Sequence, residues 1–100
     1  MNNWVLNEGE RLDDLVRGDM KIIQRPDQFC FSLDSILVAH YVLIRKKDRI
    51  ADLGTGTGVI ALLLSTLGGE DITAFEINPV MADLARRNVN GNNKSDCIKV

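Results

Sequence analysis

Apolar and polar positions change their spacing along this chain, and each change marks an element. Arg49 to Leu53 (R-I-A-D-L) is a short, partly β-branched run that stops at Gly54 and reads as a strand. Val59 to Leu67 is almost unbroken apolar sequence and reads as a helix, which Gly68-Gly69 stops. Asp71 to Glu76 alternates Ile72 and Ala74 against Thr73 and Phe75, the spacing of a second strand. Asn78 is an N-cap with Pro79 at the first helical position, and Val80, Met81, Leu84, Ala85 and Val89 carry the following helix on one face. Arg86 and Arg87 lie near its end, Asn90 to Asn93 terminates it, and Cys97 to Val100 begins a third strand. The order β-α-β-α-β with short connections predicts an α/β fold, with right-handed crossovers and a parallel sheet faced by helices.

Upstream the pattern is weaker. Leu12, Leu15 and Val16 have helical spacing, which predicts a short helix or turn before Gly18. Met20 to Gln24 reads as a short strand ended by Arg25-Pro26-Asp27, because proline has no N–H to give a ladder. Gln28 to Phe31 is a second extended piece that can pair with it as a hairpin. Ser32 then caps a helix with Asp34 in its first turn, where the dipole favours a carboxylate. Ile36, Leu37, His40, Tyr41 and Ile44 form its inner stripe, and Arg45 to Lys47 make a basic last turn. Two regions follow: an N-terminal extension over 1–31, and a half-domain over 32–100.

Composition changes this picture little. The 100 residues are 45% hydrophobic and 26% charged, which suits one small globular domain. A net charge of −2 gives no global pull toward nucleic acid. Arg11, Arg17, Lys21 and Arg25, like Lys46, Lys47 and Arg49, read as ordinary solvated charges more readily than as an RNA-facing patch. No apolar run has membrane-spanning length, and Met1 to Glu10 lacks the pattern of a signal peptide. Cys30 and Cys97 have no metal or redox spacing, so two reduced thiols in a cytoplasmic protein are expected, without a metal. His40 reads as a boundary histidine, and Trp4 either packs on the domain or follows its terminus.

The chemistry gathers where the first strand meets the apolar helix. Gly54, Gly56 and Gly58 alternate there, and glycine lets the backbone take positive φ and approach a ligand closely. The helix start behind them offers unpaired N–H groups and the positive end of the dipole, a seat for a carboxylate or phosphate. Asp52 stands just before the first glycine. Ligands of parallel sheets bind at the carboxyl ends of the strands, where both this turn and Glu76 fall. The two Glu76 oxygens suit the hydroxyl pair of a ribose, although a carboxylate capping the next turn would look the same.

D-L-G-T-G-T-G-V-I-A-L-L-L at Asp52 to Leu64 resembles motif I of the class I methyltransferases, which use S-adenosylmethionine (AdoMet). F-E-I-N at Phe75 to Asn78 resembles motif II, and F-S-L-D-S-I-L-V-A-H-Y at Phe31 to Tyr41 resembles motif X. With motif X in front, and with E-R-L-D-D-L and K-I-I-Q-R-P at the start, the chain most resembles bacterial adenine-N6 methyltransferases acting on valine tRNA. The resemblance implies the N-terminal portion of a Rossmann-like class I methyltransferase fold. It also implies that Asp52, Gly54, Thr55, Gly56 and Gly58 wrap the methionine and ribose part of AdoMet, while Glu76 holds the sugar. Phe31, Ser32 and Asp34 would lie beside the methionine end and Ile77 against the adenine, with tRNA as substrate of the intact enzyme.

One departure stands out. Such enzymes carry an N-P-P-[YF] catalytic motif after the fourth strand, and these residues contain none; Asn78-Pro79 follows the second strand and lacks the second proline and aromatic. That loop accepts hydrogen bonds from the adenine amine, aims its lone pair and stacks on the extruded base. The chain therefore reads as a cofactor-binding half cut off before its catalytic half, with no catalytic residue of its own. Other readings remain: a methyltransferase for another amine, in protein glutamine or other RNA; a nicotinamide-binding fragment, although Val59 stands where its third glycine belongs; or a non-catalytic interaction module. A three-stranded parallel sheet also leaves open edges that favour self-association.

Overall fold

The structure is a computed structural model and describes residues 4–15, 17–28, 30 and 33–100. Strands β1 (Arg11–Asp14) and β2 (Lys21–Gln24) precede helix α1 (Leu33–Tyr41). Then β3 (Arg49–Leu53), α2 (Val59–Thr66), β4 (Asp71–Phe75), α3 (Pro79–Gly91) and β5 (Ile98–Lys99) follow in turn. β3, β4 and β5 form a parallel sheet in that order, with Asp52 beside Ala74 and Leu53 beside Phe75. This is the α/β arrangement expected from the alternating elements.

The sheet buries one face. Ile72, Ala74 and Ile98 pack into a core with Leu62, Leu63, Leu64 and Ala61 of α2 and with Ala39 of α1. α2 can be apolar nearly all round because α1 and the sheet cover it on separate sides. Leu53 and Phe75 point away from that core and are 78% and 50% exposed. The Asn78 side chain accepts hydrogen bonds from the Val80 and Met81 N–H groups, with Pro79 at the first helical position, as the sequence implies.

Four expectations are corrected. Residues Arg11 to Asp14 are a strand, not a helix, and they pair antiparallel with β2. Gly18 and Asp19 both take positive φ, 68° and 55°, across the turn closed by Met20 N–H to Arg17 oxygen. That backbone matches the right-handed twist of paired strands and selects a hairpin over a helical turn. The partner of β2 is thus upstream; Gln28 and Cys30 lie in no strand, and Phe29 and Phe31 lie outside the described residues. Helix α1 stops at Tyr41 instead of running to the basic triplet. Asp48 Oδ2 accepts from the Arg45 N–H at 2.7 Å, and the Asp48 N–H donates to the Arg45 oxygen, so a local turn takes the groups a helix would use. Finally, His40 and Tyr41 are exposed rather than on an inner stripe, and the His40 ring Nδ1 lies 2.8 Å from the Ile36 oxygen.

The N-terminal segment lies against α3. Trp4 packs against Met81, Leu84 and Ile23, and a Cβ at Gly91 would overlap its ring. Arg87 donates from both terminal nitrogens to Glu10 at 2.7 Å, and also to the Val5 oxygen at 2.9 Å. This pairing holds the Glu10 carboxyl below the usual carboxylate range against the opposing effect of burial.

Candidate functional site

The glycine turn leaves β3 and enters α2 at the carboxyl edge of the sheet, and three left-handed glycines shape it: Gly54 (φ 68°), Gly56 (φ 58°) and Gly58 (φ 90°). They serve different ends. A Cβ at Gly54 would meet no atom within 4 Å, so the backbone there borders open space. A Cβ at Gly58 would sit 3.6 Å from Ala85, an ordinary contact, so it is the positive φ rather than lack of room that calls for glycine there. The Thr55 N–H donates to the Phe75 oxygen at 2.9 Å, which extends the β3–β4 ladder into the turn.

Two carboxylates converge on this turn. Asp52 is 9% exposed and accepts from the Thr55 hydroxyl at 2.7 Å. Burial pushes its pKa up; the Thr55 hydroxyl opposes this, and nearby Glu76 adds to it. Glu76 Oε1 accepts from the Gly56 N–H at 2.8 Å, and its Oε2 accepts from the Asn78 N–H at 3.1 Å. The acid at the end of β4 therefore reaches across to the turn after β3 while also capping its own turn.

A cleft of about 80 Å³ opens over the turn, lined by Ser35 of α1 with Gly54, Thr55, Gly56, Thr57, Val59 and Ile60. Asp52, Gly54, Thr55, Gly56, Gly58 and Glu76 thus come together in one place. Asp34 is exposed in the first turn of α1. Ile77 is 98% exposed beyond Glu76. Phe31 and Ser32 lie outside the described residues. Among the described residues no group of three or more His, Cys, Asp or Glu could hold a metal. Among the described residues no helix is long and apolar enough to cross a membrane.

One residue of this neighbourhood was not singled out from the sequence. Asn88 is fully buried in α3 and donates to the Thr57 oxygen at 2.9 Å. Its position continues the stripe of Met81, Leu84 and Ala85 at helical spacing, and a polar residue on a core stripe is the signal that marks it. Four of the basic residues considered as an RNA patch have partners within the chain: Arg11 with Asp13, Lys21 with Asp14, Arg25 with Asp27, and Arg17 with the Thr66 hydroxyl.

Comparison with known proteins adds a family. The model of the ribosomal protein L11 methyltransferase (PrmA) family matches residues 30–100. A ribosomal protein L11 methyltransferase of Bacillus velezensis is 36% identical over 58 residues, which cover 58% of this chain and 19% of that protein. One of Carboxydothermus hydrogenoformans is 41% identical over 88 residues, covering 82% of this chain and 29% of that protein. The chain therefore spans only about a fifth to three tenths of the length of these relatives. Among solved structures, it is similar in fold to the tRNA (uracil-54, C5)-methyltransferase of Pyrococcus abyssi, in complex with S-adenosyl-L-homocysteine (TM-score 0.67, 23% identity, 88% of this chain and 22% of that one). It is also similar to TYW2 of P. horikoshii in complex with MeSAdo (TM-score 0.70, 17% identity, 93% of this chain and 35% of that one).

Proposed function

The chain belongs to the ribosomal protein L11 methyltransferase (PrmA) family, and on that premise we propose that it forms the cofactor-binding part of an AdoMet-dependent methyltransferase. The observation that supports this reading is the bond from the Gly56 N–H to Glu76, which sets a carboxylate beside the glycine turn. Two backbone N–H groups occupy two of the roughly four acceptor positions of the Glu76 carboxylate, leaving about two for the hydroxyls of a ribose. The cleft of about 80 Å³ is far below the ~300 Å³ of a drug-sized pocket. It suits the amino-acid end of the cofactor, with the sugar beside Glu76 and the base over exposed Ile77. Gly54 admits close approach, Asp52 fixes the turn through Thr55, and Ser35, with Asp34 in the same helical turn, borders the methionine end.

When bound, AdoMet supplies an activated methyl group. This chain holds and orients it. The proposed acceptor is the N6 amine of an adenine in tRNA, supported by the resemblance of Phe31 to Tyr41, which stands ahead of β3. A second reading, ribosomal protein L11 as substrate, is favoured by the family match. Methyl transfer by the intact enzyme to tRNA and to L11, measured side by side, separates them.

Titration calorimetry with AdoMet and with NAD tests the cofactor. AdoMet is expected to bind and NAD is not. Glu76→Gln, which leaves a single acceptor oxygen, is expected to weaken AdoMet at least tenfold, or about 1.4 kcal/mol. Binding of NAD alone, or an unchanged affinity in Glu76→Gln, would overturn the reading.

A further inference from the structure

Asn88 of α3 and Asn92, the residue that caps its C-terminus, lie one helical turn apart and face the outer edge of β2. Asn88 Oδ1 accepts from the Ile23 N–H, and its Nδ2 donates to the Ile23 oxygen at 3.0 Å. Asn92 repeats this on Lys21, accepting from its N–H at 2.9 Å and donating to its oxygen at 2.6 Å. Four helical residues rise about 6 Å and two strand residues about 6.6 Å, so the two amides meet alternate residues of the strand. The two differ in one respect. The second Nδ2 hydrogen of Asn88 goes to the Thr57 oxygen, inside the glycine turn, whereas that of Asn92 returns to the Asn88 oxygen of its own helix.

We propose that Asn88 is a positioning residue of the cofactor site, fixing the carbonyl between Gly56 and Gly58 and tying the glycine turn to the β1–β2 hairpin; this rests on the AdoMet reading above. Both donors of its amide are used, and at 0% exposure no water can replace a lost partner. A shift of the turn therefore breaks a buried bond, and a ligand that holds the turn holds Asn88 and Ile23 with it. Asn92 grips the same strand without touching the turn, which makes it the control.

AdoMet binding to the 100-residue chain is compared for wild type, Asn88→Ala and Asn92→Ala, at a temperature where circular dichroism shows all three folded. Both variants are expected to melt lower. Only Asn88→Ala is expected to bind AdoMet at least tenfold more weakly, with Asn92→Ala within twofold of wild type. Should Asn88→Ala not fold, hydrogen exchange on the wild type decides: AdoMet is expected to slow the Ile23 amide severalfold and the Lys21 amide by less than twofold. Equal affinities across the three proteins, or Ile23 exchange indifferent to AdoMet, would overturn the proposal while leaving the cofactor reading intact. A wild type that binds no AdoMet removes both.

Discussion

Two carboxyl groups of this chain answer to pH in opposite directions. Glu10 has its pKa lowered by Arg87, so its stabilisation is present above the unfolded value and is lost as pH falls through the depressed folded value, in a window that begins near 4.5 and runs below it. In urea melts, wild type is expected to lose stability more steeply in acid than Glu10→Gln. At neutral pH that variant is expected to be weaker by about 1.5–3 kcal/mol, the range for bonds to a charged group. Parallel acid limbs would contradict this. Asp52 has its pKa raised, chiefly by burial, so its favourable contribution belongs to low pH and fades as pH rises through the elevated value. Asp52→Asn keeps an oxygen for the Thr55 hydroxyl. It is expected to be as stable as wild type or more so at pH 7 while binding AdoMet more weakly; a lower melting temperature would refute it. Asp52 and Glu76 were legible in the sequence because strand ends beside a glycine turn are where a parallel sheet puts its chemistry. Asn88 was not, because a polar residue near the end of a helix ordinarily faces water, and its partners at Ile23 and Thr57 are remote in sequence.

At the scale of elements, the sequence marked those with strong local signals and missed those set by distant partners. α3 carries its start in Asn78-Pro79, and Asn78→Ala is expected to cost about 1 kcal/mol by removing the acceptor for two N–H groups. A denaturation midpoint unmoved by that change would show the cap to be idle. α2 and β4 were read correctly because burial on both sides of one, and on one side of the other, imposes plain periods. β1 was misread because Leu12 and Leu15 fit a helix about as well as a strand. The deciding signal was Gly18-Asp19, a pair that accepts positive φ at both central positions of a hairpin turn. The end of α1 depended on an Asp48 bond to the Arg45 N–H, which periodicity does not register.

For the molecule as a whole, the radius of gyration is 12.5 Å, close to the ~13 Å of a compact domain of this length. The bare side of the sheet is therefore a matter of missing cover, not of expansion. Parallel sheets are ordinarily covered on both faces. Here Ala51, Leu53 and Phe75 face outward, and β3 is an edge strand of its sheet. Concentration-dependent association is expected in light scattering, and Ala51→Lys, which puts a charge on that edge, is expected to shift the chain toward monomer. A monodisperse monomer at all concentrations would argue that the edge is inert.

The two asparagine rungs on β2 have one more consequence. Their amides occupy the outward N–H and C=O groups of Ile23 and Lys21, so no extended segment from another molecule can dock on that side of the hairpin. The opposite side is β1, studded with Arg11, Asp13 and Asp14. Any amyloid-like growth of this protein must then start from an edge of the parallel sheet, β3 or β5, while the N-terminal hairpin stays folded, and fibre cores mapped by proteolysis should contain Arg49 to Leu53 or Ile98 to Lys99 and spare Arg11 to Gln24.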